Sequence, residues 1–180
     1  MSTIRFIADI HAYDLYSLDW RSMSLDDYVE NLACNWNRVT GEDDITIVAG
    51  DIGHLCNKTL QFYKSLAGKK ILVMGNHDNE WGRELYTCGI FSGIHRSIDM
   101  EGIDVIHIPD ESTLKTHYYI HGHHHYYNTY TMRQQLQAYA KDTFRLNCAS
   151  DLIGHTPRTL QELVLQKELL LDSMKDYLTI

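Results

Sequence analysis

The sequence contains little proline, no closely spaced cysteines and no long apolar segment. Its 180 residues include two prolines and four cysteines. The cysteines are far apart and form no Cys-x-x-Cys pair, so we predict reduced, mostly buried thiols and not a disulfide framework. No apolar run approaches the roughly 20 residues that cross a bilayer, and no charged-then-apolar leader precedes the first predicted strand. We therefore expect a cytoplasmic protein without a membrane span.

Positive charge is also scarce. There are 16 lysines and arginines against 24 acidic residues, which gives a formal net charge of −8. This balance argues against a long nucleic acid as partner, because proteins that bind one neutralise many phosphates with basic side chains. A small phosphate ester remains compatible, since bound metal cations would reverse the local field. The length and an ordinary composition predict one globular domain over residues 1–180.

Apolar runs and helical periodicity alternate in the first part of the chain. Three short apolar runs are predicted as buried strands, and the two amphipathic segments between them as helices. Ser24 is the expected N-cap of the first helix and Asn57 that of the second. These five elements cover residues 3–8, 24–40, 45–49, 57–68 and 69–74. Their order predicts a βαβαβ unit with a parallel sheet, and hence an α/β fold.

Shorter elements are predicted in the remainder of the chain. Gly93–Asp99 and Gly102–Ile108 are expected to form the two strands of a hairpin. Thr159, followed three residues later by Glu162, predicts a capping box at the start of the last helix. The other predicted elements are a short helix over Glu80–Tyr86, strands over Thr116–Ile120 and Phe144–Cys148, and a helical segment over Thr131–Lys141.

Polar side chains follow the predicted strands. The strand ends carry Asp9-x-His11, Gly50-Asp51, Gly75-Asn76-His77-Asp78, His107 and Gly122-His123-x-His125. Ligands of open α/β sheets gather outside the carboxyl ends of the strands. Taken alone, the Gly75–Asp78 segment fits a polar turn as well as a site, and Gly75 would allow the backbone to turn sharply. Carboxylate, amide and imidazole groups together suit Mn, Fe, Ni, Co or Zn and do not suit Ca.

These five segments, in this order and at these spacings, resemble the signature of the calcineurin-like metallophosphoesterase superfamily. The resemblance is closest to its small bacterial and phage phosphoesterases, and Arg145–Asp151 with Leu160–Leu163 is similar to their C-terminal block. It implies the metallo-dependent phosphatase fold, a four-layer α-β-β-α sandwich that some schemes class as α+β. It also implies the cytoplasm of a bacterial or phage-infected cell.

The resemblance also implies seven ligands for two divalent metal ions, with manganese favoured. By position, Asp9, His11 and His125 would hold the first ion, Asn76, His107 and His123 the second, and Asp51 would bridge them. His107 is preferred over its neighbours His95 and His117 because His-x-Pro follows a predicted strand there. His54 is expected to be an exposed loop histidine, with a substrate contact as the alternative, and the other histidines outside the motifs are expected to be structural or at the surface.

The resemblance implies a two-metal-dependent phosphoesterase that acts on a phosphodiester or phosphomonoester. A small, nucleotide-like substrate is one hypothesis. A metal-bridging hydroxide would attack phosphorus, while His77 would stabilise charge and protonate the leaving group. Asp78 would orient the ring of His77. The alternative is a catalytically inactive binding module on the same fold. Such modules usually lose ligands or the catalytic histidine, whereas this chain keeps all of them.

Two features depart from the family pattern. Ala12-Tyr13-Asp14 follows the first motif, so a substrate contact is either missing or replaced by Tyr13 or Asp14. The segment from His125 to Asn147 is long and is either a surface helix or a lid that places aromatic rings and Arg133 over the substrate. Within the histidine cluster, His121 is expected to be structural or to support a ligand, with a catalytic role as the alternative, and His124 is expected to point away from the metals.

Overall fold

A parallel four-stranded sheet forms the first half of the protein. The computed structural model describes residues 2–15, 17, 23–109, 117–125, 137 and 139–173. The strands are β1 (Ile4–Ile7), β2 (Ile45–Val48), β3 (Lys69–Val73) and β4 (Gly93–His95), in that spatial order. Helices α1 (Leu25–Val39) and α2 (Asn57–Ser65) connect the first three. The predicted βαβαβ unit is confirmed.

A second four-stranded sheet follows. Its strands are β5 (Ile98–Met100), β6 (Ile103–Val105), β7 (Tyr118–His121) and β8 (Arg145–Asn147), also in sequence order. Strands β5 and β6 are antiparallel, and the other neighbours are parallel. The two sheets meet where β1 continues into Ala8, whose N–H donates to the Cys148 carbonyl at 2.8 Å. The ends of β1 and β8 are thereby joined.

The predicted hairpin is confirmed only in part. The expected long strand Gly93–Asp99 divides into β4, which completes the first sheet, and β5, which begins the second. The alternation of apolar residues continues through the division, so periodicity alone did not reveal it. Arg96 stands at a position where this alternation predicts an apolar residue, and the chain changes sheets there. The correct hairpin is the shorter pair β5–β6.

Capping residues set the helix starts. Ser24 accepts the Asp27 N–H at 3.1 Å and begins α1 as predicted. Asn57 is the first residue of α2 and not its cap; Cys56 holds that position. A 3₁₀ turn (Asp78–Trp81) and α3 (Glu84–Thr87) replace the predicted single short helix.

The last described helix, α4 (Leu160–Ser173), packs against β8 and β1. Its predicted capping box is confirmed: the Thr159 N–H donates to Glu162 at 2.7 Å, and the Glu162 N–H donates back to the Thr159 hydroxyl at 3.3 Å. Two sheets with helices on their outer sides form the expected four-layer α-β-β-α sandwich. None of the helices in the described ranges is long and apolar enough to cross a membrane.

Buried apolar residues of both sheets form the core. Large side chains that are almost fully buried include Phe6, Ile47, Trp36, Tyr63 and Trp81. The polar groups of the three aromatic side chains Trp36, Tyr63 and Trp81 donate hydrogen bonds to backbone carbonyls. For example, the Trp81 indole N–H donates to the Gly53 carbonyl at 2.9 Å. Most of the segment between His125 and Asn147, which was predicted to be a surface helix or a lid, lies outside the described residues, and so do Arg133 and the aromatic residues Tyr126, Tyr127 and Tyr130.

Candidate metal centre

All seven predicted ligands lie at one edge of the paired sheets. They follow the carboxyl ends of β1, β2, β3, β6 and β7. The carboxylates are deeply buried, with Asp9 0% and Asp51 2% exposed. Buried carboxylates need charge compensation, and imidazole nitrogens surround these two. The side chains form two groups that share one edge of the fold.

The first group contains Asp9, His11 and His125. One potential ligand atom from each lies within 4.8 Å of the others. The Nε2 atom of His125 is 3.1 Å from an oxygen of Asp9. The carboxylate of Asp9 is also held by the backbone N–H of His123, which donates to its two oxygens at 2.8 and 3.0 Å. The loop after β7 therefore orients the residue that follows β1.

The second group contains Asp51, His107 and His123, again with ligand atoms within 4.8 Å of one another. The Asn76 side-chain oxygen lies 2.9 Å from His107 Nε2 and 3.1 Å from His123 Nδ1. Asp51 Oδ2 lies 3.2 Å from His107 Nε2 and 3.8 Å from His11 Nε2. Asp51 therefore lies between the two groups and contacts both.

Three of the four imidazoles have a fixed orientation. In each, the Nδ1 atom faces an oxygen and directs Nε2 towards the centre, as outer partners do for metal-binding histidines. The pairs are His11 with the Asp14 carboxylate (3.2 Å), His125 with the Asp151 carboxylate (3.0 Å) and His107 with the Ala49 carbonyl (2.8 Å). Asp14 thus contacts a histidine of the centre. The sequence did not reveal these partners, because only the fold brings Asp151 to His125.

Opposite charges compensate one another within the centre. Burial raises the pKa of Asp51, but the hydrogen bond and positive charge of His107 outweigh it and lower the pKa to about 2. Burial lowers the pKa of His107, and the Asp51 and Asp9 carboxylates together raise it to about 9. His125 follows the same pattern: Asp151 and Asp9 overcome burial and raise its pKa to about 9. Metal ions would have to displace these protons.

Asp78 has a different role from the one predicted. Its fully buried carboxylate accepts three backbone N–H groups, from Gly75 at 2.7 Å, Ile52 at 2.9 Å and Asp51 at 3.0 Å. Among the described residues no hydrogen bond joins Asp78 to the ring of His77, so the predicted orienting contact is wrong. Asp78 instead ties the end of β2 to the end of β3.

His77 is anchored through its backbone. Its N–H donates to Asp51 Oδ1 at 3.0 Å, while the other oxygen of Asp51 faces His107 and His11. The ring of His77 is exposed and lies edge-on to the His11 ring, with 5.5 Å between centroids. The predicted catalytic histidine is therefore accessible to a ligand and attached to the central carboxylate.

The backbone around the centre is strained. Asp9, His11, Asp51 and His123 have φ values of 54°, 45°, 55° and 68°. This left-handed region disfavours residues with a Cβ atom, and such strain is concentrated at functional sites. Gly75 is required for a different reason from the predicted sharp turn. Its φ is not positive, but a Cβ atom at this position would collide with the Asp51 carboxylate.

The other histidines of the cluster are structural. His121 is fully buried; its Nδ1–H donates to the Gly122 carbonyl at 2.6 Å, and its Nε2 accepts from Arg145 at 3.0 Å. Burial and the adjacent Arg145 charge lower its pKa well below the usual value. His124 faces Arg145, with 2.8 Å between Nδ1 and Nη2, and so points away from the centre as predicted. His54 is exposed, also as predicted.

Comparison with known proteins agrees with this geometry. Paired sheets that gather aspartates and histidines at one edge define a candidate metallohydrolase. The family model described as calcineurin-like phosphoesterase matches residues 2–159, and the chain belongs to this family. The superfamily expected from the motifs is thereby confirmed. Its members are generally metal-dependent phosphoesterases that use divalent ions.

A solved structure shares the fold. It is a protein of unknown function, AQ665 from Aquifex aeolicus, which aligns with a TM-score of 0.69 at 22% sequence identity. The alignment covers 90% of this chain and 97% of the other. At this identity the likeness concerns the fold alone. A search among curated proteins gave no match.

Proposed function

We propose that the protein is a two-metal phosphoesterase that hydrolyses small phosphodiesters or phosphomonoesters. The observation that carries the proposal is the position of Asp51, whose one carboxylate oxygen lies near His11 of the first group and His107 of the second. Asp9, His11 and His125 would hold one ion, and Asn76, His107 and His123 the other, with Asp51 between them. This is one domain in our interpretation.

The donor set fits divalent transition metals. Two buried carboxylates, one amide oxygen and four imidazoles converge, and this mixture suits Mn, Fe, Ni, Co or Zn. Asn76 contributes a neutral oxygen, so the side chains supply two negative charges for two dications. When bound, the ions would activate water and neutralise the phosphate oxygens. We take manganese as the first ion to test.

The chain's own residues would do the remaining work. The exposed ring of His77 can reach a substrate, stabilise its developing charge and donate a proton to the leaving oxygen. Asp51 fixes the backbone of His77, so substrate contact and metal binding are geometrically linked. Asp78 keeps this segment against the end of β2 through its three amide hydrogen bonds.

Chelation and metal titration test the proposal. We expect EDTA to abolish hydrolysis of bis-p-nitrophenyl phosphate or p-nitrophenyl phosphate, and Mn²⁺ to restore it, with two ions bound per chain. Comparing the two esters decides between diester and monoester preference. Hydrolysis that is indifferent to the chelator would refute the metal mechanism. Metal binding without hydrolysis of any ester would instead indicate the catalytically inactive binding module.

Single substitutions separate binding from turnover. Asp51→Asn is expected to lose metal occupancy in calorimetric titration, because it removes the shared charge. His77→Ala is expected to bind both ions and to lose about 10²–10⁴-fold in turnover, the scale of a positioned acid. His54→Ala, an exposed histidine outside the centre, is the matched control and should behave as wild type. Full activity of His77→Ala would remove that residue from the mechanism.

A further inference from the structure

A cleft of about 910 Å³ opens beside the candidate metal centre. Asn76 and His107, both proposed ligands of the second ion, form part of its wall. The other walls come from the segment around α3, the turn between β4 and β5, and the residues after β6. Its volume lies in the range of small-molecule sites. The cleft therefore extends the reaction site on the side of the second ion.

Two arginines make this cleft positive in an otherwise acidic protein. Arg83 and Arg96 both line it and both are exposed. No hydrogen bond or ion pair joins either guanidinium to another residue within the described ranges. The cleft's carboxylate among those residues is Asp78, whose oxygens already accept three backbone N–H groups. Free guanidinium groups in such a position suit a phosphate, which they can bind with paired hydrogen bonds.

Two apolar side chains stand exposed at the same cleft. Tyr86 is 66% exposed and Ile108 is 54% exposed, which is unusual for large apolar residues of this chain. The Tyr86 hydroxyl lies 3.8 Å from the Met74 sulfur, so the ring is directed along the cleft wall. An exposed aromatic face of this kind can stack against a nucleobase, and a β-branched side chain can contact it.

We propose that the cleft binds a nucleotide that carries a second phosphate, with Arg83 and Arg96 on that phosphate and the base against Tyr86 and Ile108. The substrate class of the centre is then a nucleotide with at least two phosphate groups. One of these lies at the metal ions, and the other occupies the cleft beyond Asn76. This inference rests on the proposed phosphoesterase function, because it assigns the substrate of the same site.

Equilibrium binding to the Mn²⁺-loaded protein tests the assignment. The probe is adenosine α,β-methylene diphosphate, whose P–C–P bridge resists hydrolysis, and the reference is the phosphonate analogue of AMP. We expect calorimetry to show at least tenfold tighter binding of the diphosphate analogue. Arg83→Gln and Arg96→Gln should each reduce this preference by about tenfold, the usual effect of removing a hydrogen bond to a charged group. Arg38→Gln, an exposed arginine of α1, is the control and should keep the preference.

A second variant tests the base contact. Tyr86→Ala should weaken both adenosine analogues by about fivefold or more, the scale of a lost stacking contact. It should leave the binding of methylenediphosphonate, which has no base, within twofold of wild type. Equal effects on all three compounds would show that Tyr86 does not contact the base and would overturn that part of the assignment.

Two results would overturn the cleft assignment as a whole. These are equal affinity of the wild type for the two adenosine analogues, and an unchanged preference in both arginine variants. Failure of the proposed function is seen separately, as absence of bis-p-nitrophenyl phosphate and p-nitrophenyl phosphate hydrolysis by the same preparation. Selective binding without hydrolysis would leave the cleft assignment in place and remove the enzymatic one.

Discussion

Replacing Asp78 with asparagine should destabilise the protein strongly, although the side chain keeps its size. The carboxylate is fully buried and accepts the N–H groups of Gly75 and Asp51 at one oxygen and that of Ile52 at the other. An asparagine has a single acceptor oxygen. In its best orientation it keeps the Gly75 and Asp51 bonds, and its NH₂ group faces the Ile52 N–H. One buried donor then loses its partner.

The magnitude follows from these three bonds. A hydrogen bond to a charged group contributes about 1.5–3 kcal/mol and a neutral one about 0.5–1.5 kcal/mol. The substitution removes one charged bond and turns two into neutral ones, while relief of carboxylate burial offsets part of the loss. We therefore expect the free energy of unfolding to fall by about 2–4 kcal/mol, a large share of the typical 5–15 kcal/mol.

Urea unfolding in EDTA measures this change without a contribution from metal binding. Buried Trp36 and Trp81 provide the fluorescence signal, and the expected loss corresponds to a midpoint lower by about 1–2 M. Asp104→Asn is the matched control. Its partner His117 is 43% exposed at the side chain, so that pair should contribute no more than about 1 kcal/mol. Coincident midpoints for the two variants would refute the assigned role of Asp78.

Three further predictions concern the metal centre. The metal-free protein should have a lower Tm at pH 8 than at pH 6.5, because the pKa values of His107 and His125 are raised to about 9. Their charged rings stabilise the fold fully below the ordinary pKa of 6.5, and this contribution is lost as the pH rises towards 9. An equal Tm at the two pH values would contradict these charges. Asp14→Asn should weaken metal binding by about 10–100-fold in calorimetric titration, because it disturbs the orientation of the His11 imidazole. Unchanged affinity would show that the contact between Asp14 and His11 is incidental. Gly75→Ala should raise the metal dissociation constant at least tenfold by displacing the Asp51 carboxylate, whereas Gly41→Ala, where a Cβ atom meets only ordinary contacts, should not. Similar constants for the two variants would refute the steric argument.

The convergence of polar side chains was predictable from a local pattern along the chain, while the resemblance to the family supplied their assignment as ligands. Each polar residue comes directly after a short apolar run, and the carboxyl ends of parallel strands meet at one edge of a sheet. His107 is an example: its place after β6 favoured it over His95 and His117, and the structure puts it next to Asp51 and Asn76. Its role as a ligand remains a prediction until a metal is bound.

Other expectations failed where a choice between sheets or partners was needed. The hairpin prediction overlooked that the chain leaves the first sheet at Arg96, because residues on both sides of it continue the same alternation. Asp78 was predicted to orient the ring of His77, as carboxylates around a metal centre do for its imidazoles. In the structure the carboxylate of Asp78 instead accepts three backbone N–H groups from the ends of β2 and β3, and these hydrogen bonds fix its position.

The sequence by itself determined the parallel βαβαβ unit and the polar residues that follow the strands, since apolar periodicity and polar strand ends are local properties of the chain. Only the tertiary structure decided which oxygen orients each imidazole, as with Asp151 and His125. It also decided that Arg83 and Arg96 line one cleft beside Asn76. A hydrogen bond needs a separation near 3 Å and a suitable direction. For residues on different elements, the strand order and the junction of the two sheets set this separation and direction. No spacing along the chain encodes either of them.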